Sequence, residues 1–167
     1  EFVDVLIDMT LYGVPCSLEH LKTGEKILRE KIEILEAKIF QELGEFNLNS
    51  PQQLCEKIYG IKVQRKNGKV LLSKVDNYDS KRYPKVKKWN NANVPDKATP
   101  STDEEALSQL KTKEAELILE HRTLTKLLNT YAIGFQKWVI DGKIYPVFNQ
   151  TGTVSGRLSS DAPNMQN

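Results

Sequence analysis

The stretch SLEHLKTGEKILREKIEILEAKIFQEL, residues 17–43, decides the fold. Its apolar residues Leu21, Leu28, Ile32, Leu35, Ile39 and Leu43 recur at steps of three, four and seven, the spacing that lines up one face of an α-helix. Ser17 is a suitable N-cap and Gly44 a suitable stop. At about 1.5 Å per residue such a helix runs roughly 40 Å, more than a small globule covers, so it needs a partner along its length.

The partner expected from the pattern lies near the other end of the chain. Leu110, Leu117, Leu124 and Tyr131 fall seven apart, and Ile118, Leu127 and Leu128 widen the stripe. The two segments predict a long antiparallel helical hairpin. Ser50 to Tyr59 reads as one short helix at its tip, and Ser101-Thr102-Asp103-Glu104 reads as a capping box opening a second. A plain coiled-coil spacer carries the same stripe, so periodicity alone stops at a helical hairpin.

Around this hairpin, Phe2 to Leu11 reads as a short helix closed by Gly13 and Pro15. Asn67-Gly68 lies between β-compatible runs that suit a hairpin, while Tyr83-Pro84 and Asn90 to Pro95 read as loop. After Gly134 the helical pattern fades. Asp141-Gly142 marks a tight turn, and Ile144 to Phe148 and Thr151 to Ser155 predict two short strands. The expected fold class is mainly α with a small terminal β element (α+β), divided into residues 1–137 and 138–167.

Composition narrows the function classes. The chain has 167 residues, 39% of them hydrophobic, enough for one domain or two small lobes. No run approaches the roughly 18 apolar residues of a membrane span. Glu1 to Asp8 lacks the basic flank of a signal peptide, which predicts an intracellular protein without a membrane partner. Cys16 and Cys55 have no CxxC or histidine spacing and read as reduced structural thiols. Net charge is +2, yet residues 62–97 hold eleven Lys or Arg against three Asp, a local +8 that leaves −6 for the rest. Counterion release is a local effect, so such a segment suits a polyanion; a solvated loop accounts for it equally well.

The run most informative for chemistry is FNQTGTVSGRLSSDAPNMQN, residues 148–167. Its glycines do not make a phosphate-binding P-loop, because no Gly-Lys-Ser/Thr follows and no helix opens there. It combines amides, hydroxyls and one arginine. That mixture suits the minor groove of a duplex, where every base pair offers an N3 or O2 acceptor and a donor checks pair shape without reading sequence.

This run resembles the stretch Thr-x-Thr-x-Arg-Leu-Ser-Ser-x-x-Pro-Asn-Leu-Gln-Asn of family A DNA polymerases, the bacterial DNA polymerase I family, with Met165 where leucine is usual. Upstream, Phe46 to Leu54 resembles the family's thumb-tip sequence and Pro100 to Glu105 its second tip helix. Glu120 to Leu127 with Thr130-Tyr131 resembles the returning thumb helix, so the likeness covers nearly the whole chain outside the basic segment. It implies that the hairpin is a polymerase thumb and that the two terminal strands begin the palm.

By the same resemblance, Arg157 reaches the minor groove at the primer terminus, with Asn164, Gln166 and Asn167 as neighbouring duplex-contacting amides. Asn47, Asn49, Ser50, Ser101 and Thr102 match groups along the DNA backbone, and Arg122 and Lys126 match phosphate-facing cations. Read from the residues alone, Arg122 and Lys126 also fit a solvated helix face, and Asn47 a simple cap or turn. Residues 63–96 stand as an insert at the tip, whose Lys81, Arg82, Lys85, Lys87, Lys88 and Trp89 would either extend the DNA grip or dock a processivity protein. The family's catalytic aspartates, with their two Mg²⁺ ions, are expected beyond this chain, so no catalytic residue or metal ligand is assigned within it. The expected role is binding of primer-template DNA for a template-directed polymerase. The alternative is a non-enzymatic helical module whose basic segment binds a protein.

Overall fold

The structure, a computed structural model, describes residues 2–60, 63–66, 69–72, 89–90, 99–150, 152 and 156–166. Five α-helices stand among them: α1 (Phe2–Tyr12), α2 (Leu18–Leu43), α3 (Pro51–Tyr59), α4 (Glu104–Leu110) and α5 (Lys113–Lys126). A π-helix (Leu127–Ile133) and a 3₁₀ turn (Gln136–Trp138) follow. The strands are β1 (Val14–Pro15), β2 (Val63–Lys66), β3 (Lys69–Leu72), β4 (Trp89–Asn90), β5 (Thr99–Pro100), β6 (Lys143–Ile144), β7 (Val147–Asn149) and β8 (Ser159–Asp161). They form four antiparallel pairs, so the mainly helical reading with a small β element holds. Among the described residues no helix is long and apolar enough to cross a membrane. The chain divides into one unit of Glu1–Ile32 with Leu124–Asn167 and another of Glu33–Thr123.

In the first unit, β1 pairs with β6 (Val14↔Ile144, Pro15↔Lys143), and the Cys16 amide donates to Gly142 O at 2.8 Å. Gly13 allows this approach. Its φ is +72°, and a Cβ there would lie 2.8 Å from the Tyr145 ring. Lys143 closes the same corner by donating to Tyr12 O at 2.8 Å, its ammonium 4.2 Å from the Tyr12 ring centroid. Helix α1 buries Leu6 and leaves Phe2, Val3, Val5, Ile7, Met9, Leu11 and Tyr12 exposed.

Ile32 of α2 packs with Leu128 and Ala132, and Leu28, Leu124 and Ile133 extend the cluster. Gln136 Nε2 donates to Glu25 Oε2 at 2.7 Å, so the partner segment runs antiparallel to α2, as the pattern predicts. The Gln136 amide, together with Arg29, holds the Glu25 carboxyl below its ordinary range. Of the stripe residues in the returning segment, Leu128 is buried and Leu124 packs against the same cluster, while Leu127, the first residue of the π-helix, is exposed.

The terminal strands also differ from expectation. The predicted strand Ile144 to Phe148 breaks at Tyr145-Pro146, where proline lacks the ladder N–H. Its first part joins β1. The second part, β7, pairs with β8 (Val147↔Asp161, Phe148↔Ser160, Asn149↔Ser159). Thr151 and residues 153–155 of the other predicted strand lie outside the described residues.

In the second unit, α2 ends at Gly44 (φ +73°), whose amide donates to Phe40 O, and Lys57 Nζ caps Leu43 O at 2.8 Å. Helix α3 falls within the short helix read from Ser50 to Tyr59; Ser50 is its N-cap and left-handed Gly60 stops it. The capping box at Ser101 is corrected: the cap of α4 is Asp103, whose Oδ1 accepts from Ala106 N at 2.9 Å. Lys111 takes φ +50° and ends α4, so Leu110 and Leu117 occupy different helices. Ile39, Leu54, Ile58, Tyr59, Leu107 and Ile118 form the buried interior. His121 Nε2 lies 3.0 Å from Glu36 Oε1, and Lys113 donates to Glu42 at 2.6 Å, again in antiparallel order.

β2 and β3 pair in the hairpin register expected around Asn67-Gly68 (Lys66↔Lys69), although those two turn residues lie outside the described set. Asn90, expected as loop, pairs with Thr99 in the β4–β5 ladder. Tyr83-Pro84, residues 91–95 and Lys81, Arg82, Lys85, Lys87 and Lys88 lie outside the described residues.

The two cysteines differ in surroundings. Burial pushes the Cys55 thiol up to about 12, whereas Cys16 is half-buried. At pH 8 the Cys55 thiolate fraction is then on the order of 10⁻⁴. A thiol-alkylating reagent at that pH is expected to label Cys16 in the native chain and to reach Cys55 only after denaturation, which mass spectrometry of the labelled peptides checks.

Candidate nucleic-acid interface

The terminal run is held by the β7–β8 ladder. Asn149 Nδ2 donates to Asp161 Oδ2 at 2.8 Å, a side-chain clamp across the ladder. Gly152 lets the returning strand come close, since a Cβ there would collide with Ser159 Oγ. Ser160 is fully buried, and its Oγ accepts the Met165 N–H at 2.8 Å. Pro163 is buried inside the loop thus closed, while Asn164 and Gln166 are exposed on it. Asn164 Oδ1 accepts the Gln166 N–H at 2.9 Å, so the group Asn164 turns outward is its Nδ2 donor. Arg157 is exposed at the start of this segment, next to Gly156 at φ +73°. Asn167 lies outside the described residues.

The tip residues sort into two kinds. Asn47 and Asn49 are exposed, yet Asn47 Oδ1 accepts the Asn49 N–H at 2.9 Å and the Asn47 amide donates to Gln53 Oε1 at 2.7 Å, so they also build the turn that leads into α3. Ser50 Oγ takes the Gln53 N–H as the helix cap. Ser101 and Thr102 are buried. Tyr59 Oη donates to Ser101 O at 2.7 Å, Ser101 Oγ accepts the Asp103 N–H at 3.2 Å, and Arg122 Nη1 donates to Thr102 O. Burial lowers the Arg122 guanidinium, and the neighbouring Asp103 works against that shift. Lys126, by contrast, is exposed.

Sequence reading did not single out Ser160, Asn149, Asp161 or Tyr59. The Ser-Ser pair was legible, but a side chain that takes an amide five residues ahead leaves no periodic mark. Among the described residues no three His, Cys, Asp or Glu side chains converge as a metal site.

Residues 18–167 match DNA polymerase family A, and the chain belongs to that family. It is 35% identical over 170 residues to DNA polymerase I of Helicobacter pylori (strain ATCC 700392 / 26695), covering 99% of this chain and 16% of the relative. To the Geobacillus stearothermophilus DNA polymerase I it is 34% identical, over 98% of this chain and 16% of that protein. The POL domain of Pol1 from M. smegmatis, solved in complex with DNA primer-template and dNTP, superposes with a TM-score of 0.67 at 27% identity. That match covers 97% of this chain and 25% of the neighbour. The chain therefore spans about a sixth of the length of the curated relatives it matches.

Proposed function

We propose that this chain is the primer-template duplex-binding part of a template-directed DNA polymerase. Residues 1–137 serve as a thumb-type helical region with residues 63–96 as its insert, and residues 138–167 open the palm. The observation that carries the reading is the terminal segment, where Arg157, Asn164 and Gln166 are exposed and the Asn164 amide offers a donor. Donors of this kind suit the N3 and O2 acceptors that every base pair presents in the minor groove. The solved neighbour, captured with a primer-template, supports the same assignment.

Exposed Asn47 and Asn49 in the second unit, and separately exposed Lys126 in the first, are the groups offered to the DNA backbone. Ser50, Ser101, Thr102 and Arg122 act from inside, by fixing the turn and the start of α4. Backbone contacts fix position and give salt-dependent, sequence-independent affinity, while the terminal segment inspects pair shape. The Mg²⁺-dependent transfer belongs to the whole polymerase, and no residue of this chain is assigned to it.

Binding to a labelled primer-template across a salt series tests the reading. The chain is expected to bind with a steep salt dependence, and Lys126→Ala to flatten the slope of log K against log salt by about one. Replacing residues 63–96 by a short linker separates the insert's share, since loss of all binding would move the grip onto the insert. Absence of binding in every form would sink the proposal.

A further inference from the structure

The loop that carries Asn164 and Gln166 is closed by one buried side chain. Ser160 sits in β8 opposite Phe148, is fully buried, and accepts the Met165 backbone N–H at 2.8 Å. Met165 lies between the two exposed amides, so fixing its backbone fixes both neighbours. The Asn149–Asp161 clamp holds the base of the same loop, and the Asn164 Oδ1 bond to the Gln166 N–H sets the amide with its donor outward. A buried hydroxyl aimed at a backbone amide adds nothing to the surface, yet it decides which way the surface amides point.

We infer that Ser160 is a positioning residue for duplex inspection, acting through Asn164 and Gln166 to hold their amides ready for minor-groove acceptors. The inference rests on the duplex-binding reading above. It adds that the loop is preorganised by Ser160 before DNA arrives, so ordering the amides is not charged against binding. Without the Ser160 acceptor the Met165 N–H loses its partner, and the loop is free to turn those amides elsewhere.

The test compares two primer-template duplexes, one natural and one with 3-deazapurines at the terminal base pairs, which lack the N3 acceptor and keep the pairing edge. The wild-type chain is expected to bind the natural duplex roughly three- to tenfold more tightly, the value of one or two neutral hydrogen bonds. Ser160→Ala, with an unchanged thermal melt, is expected to bind both duplexes equally, and S160A/N164A to behave as S160A alone. Ser160→Cys, similar in volume and a much weaker acceptor, carries the test should the alanine variant melt early. Discrimination by S160A or S160C equal to wild type overturns the positioning role and leaves duplex binding intact. A wild-type chain that binds both duplexes equally overturns the role together with the minor-groove reading, and no wild-type binding at all overturns the duplex reading itself.

Discussion

Alanine at Gly134 is expected to destabilise the chain by about 3 kcal/mol, at the upper end of what forced overpacking costs. Gly134 follows the π-helix at an ordinary helical φ of −59°, so the constraint is space rather than backbone conformation. A Cβ there would collide with Thr130 O and lie 2.8 Å from Asn129 O, both backbone atoms that cannot swing aside. The wide π-turn would have to rewind, and rewinding shifts the Leu128 and Ala132 faces that pack on Ile32. For a chain of this size the melting temperature should fall by roughly 6–12 °C. Gly24 supplies the opposite case in α2, with nothing within 4 Å of a built Cβ. Gly24→Ala should therefore stabilise by about 0.5–1 kcal/mol, as helix propensity dictates. Thermal melts of the two variants give shifts of opposite sign, and equal shifts would refute the steric account of Gly134.

Arg122→Ala is expected to lose about 2–3 kcal/mol, because a charge-assisted hydrogen bond goes and the buried Thr102 carbonyl keeps no guanidinium partner. Tyr59 would still hold Ser101 O, so the loss falls on Thr102 and the start of α4. The salt slope of duplex binding separates this structural role from a phosphate contact. A phosphate-bound arginine contributes close to one unit of slope, as Lys126 is expected to do. Arg122→Ala should weaken folding in urea and leave the slope unchanged. A slope reduced by one with unchanged stability would return Arg122 to the DNA.

The helical skeleton was legible because its determinants are local and periodic. The face of Ile32, Leu35 and Ile39 and the Gly44 stop lie within a few residues of what they control. The family was legible for a different reason, the run from Phe148 onward, where side-chain chemistry is dense. The π-turn was not legible. Leu127 and Leu128 are equally apolar, and only Leu128 is buried, four residues from Leu124 and from Ala132 on the face that meets Ile32. The same holds for Arg122 and Lys126, one turn apart in sequence pattern. Only the fold reveals that one cation meets a carbonyl and the other meets solvent. At the start of α4 the Asp103 carboxylate takes the Ala106 N–H, while the Ser101 hydroxyl takes the Asp103 backbone N–H.

Helix α1 carries a consequence of a colloidal kind. Its Phe2, Ile7, Leu11 and Tyr12 stand 57%, 51%, 72% and 69% exposed, an apolar surface on an element that buries Leu6. Exposed apolar area that is contiguous favours association over solvation. Light scattering of the chain should therefore rise steeply with protein concentration, and a change of Phe2 and Leu11 to serine should flatten that rise while leaving the melting temperature nearly where it was.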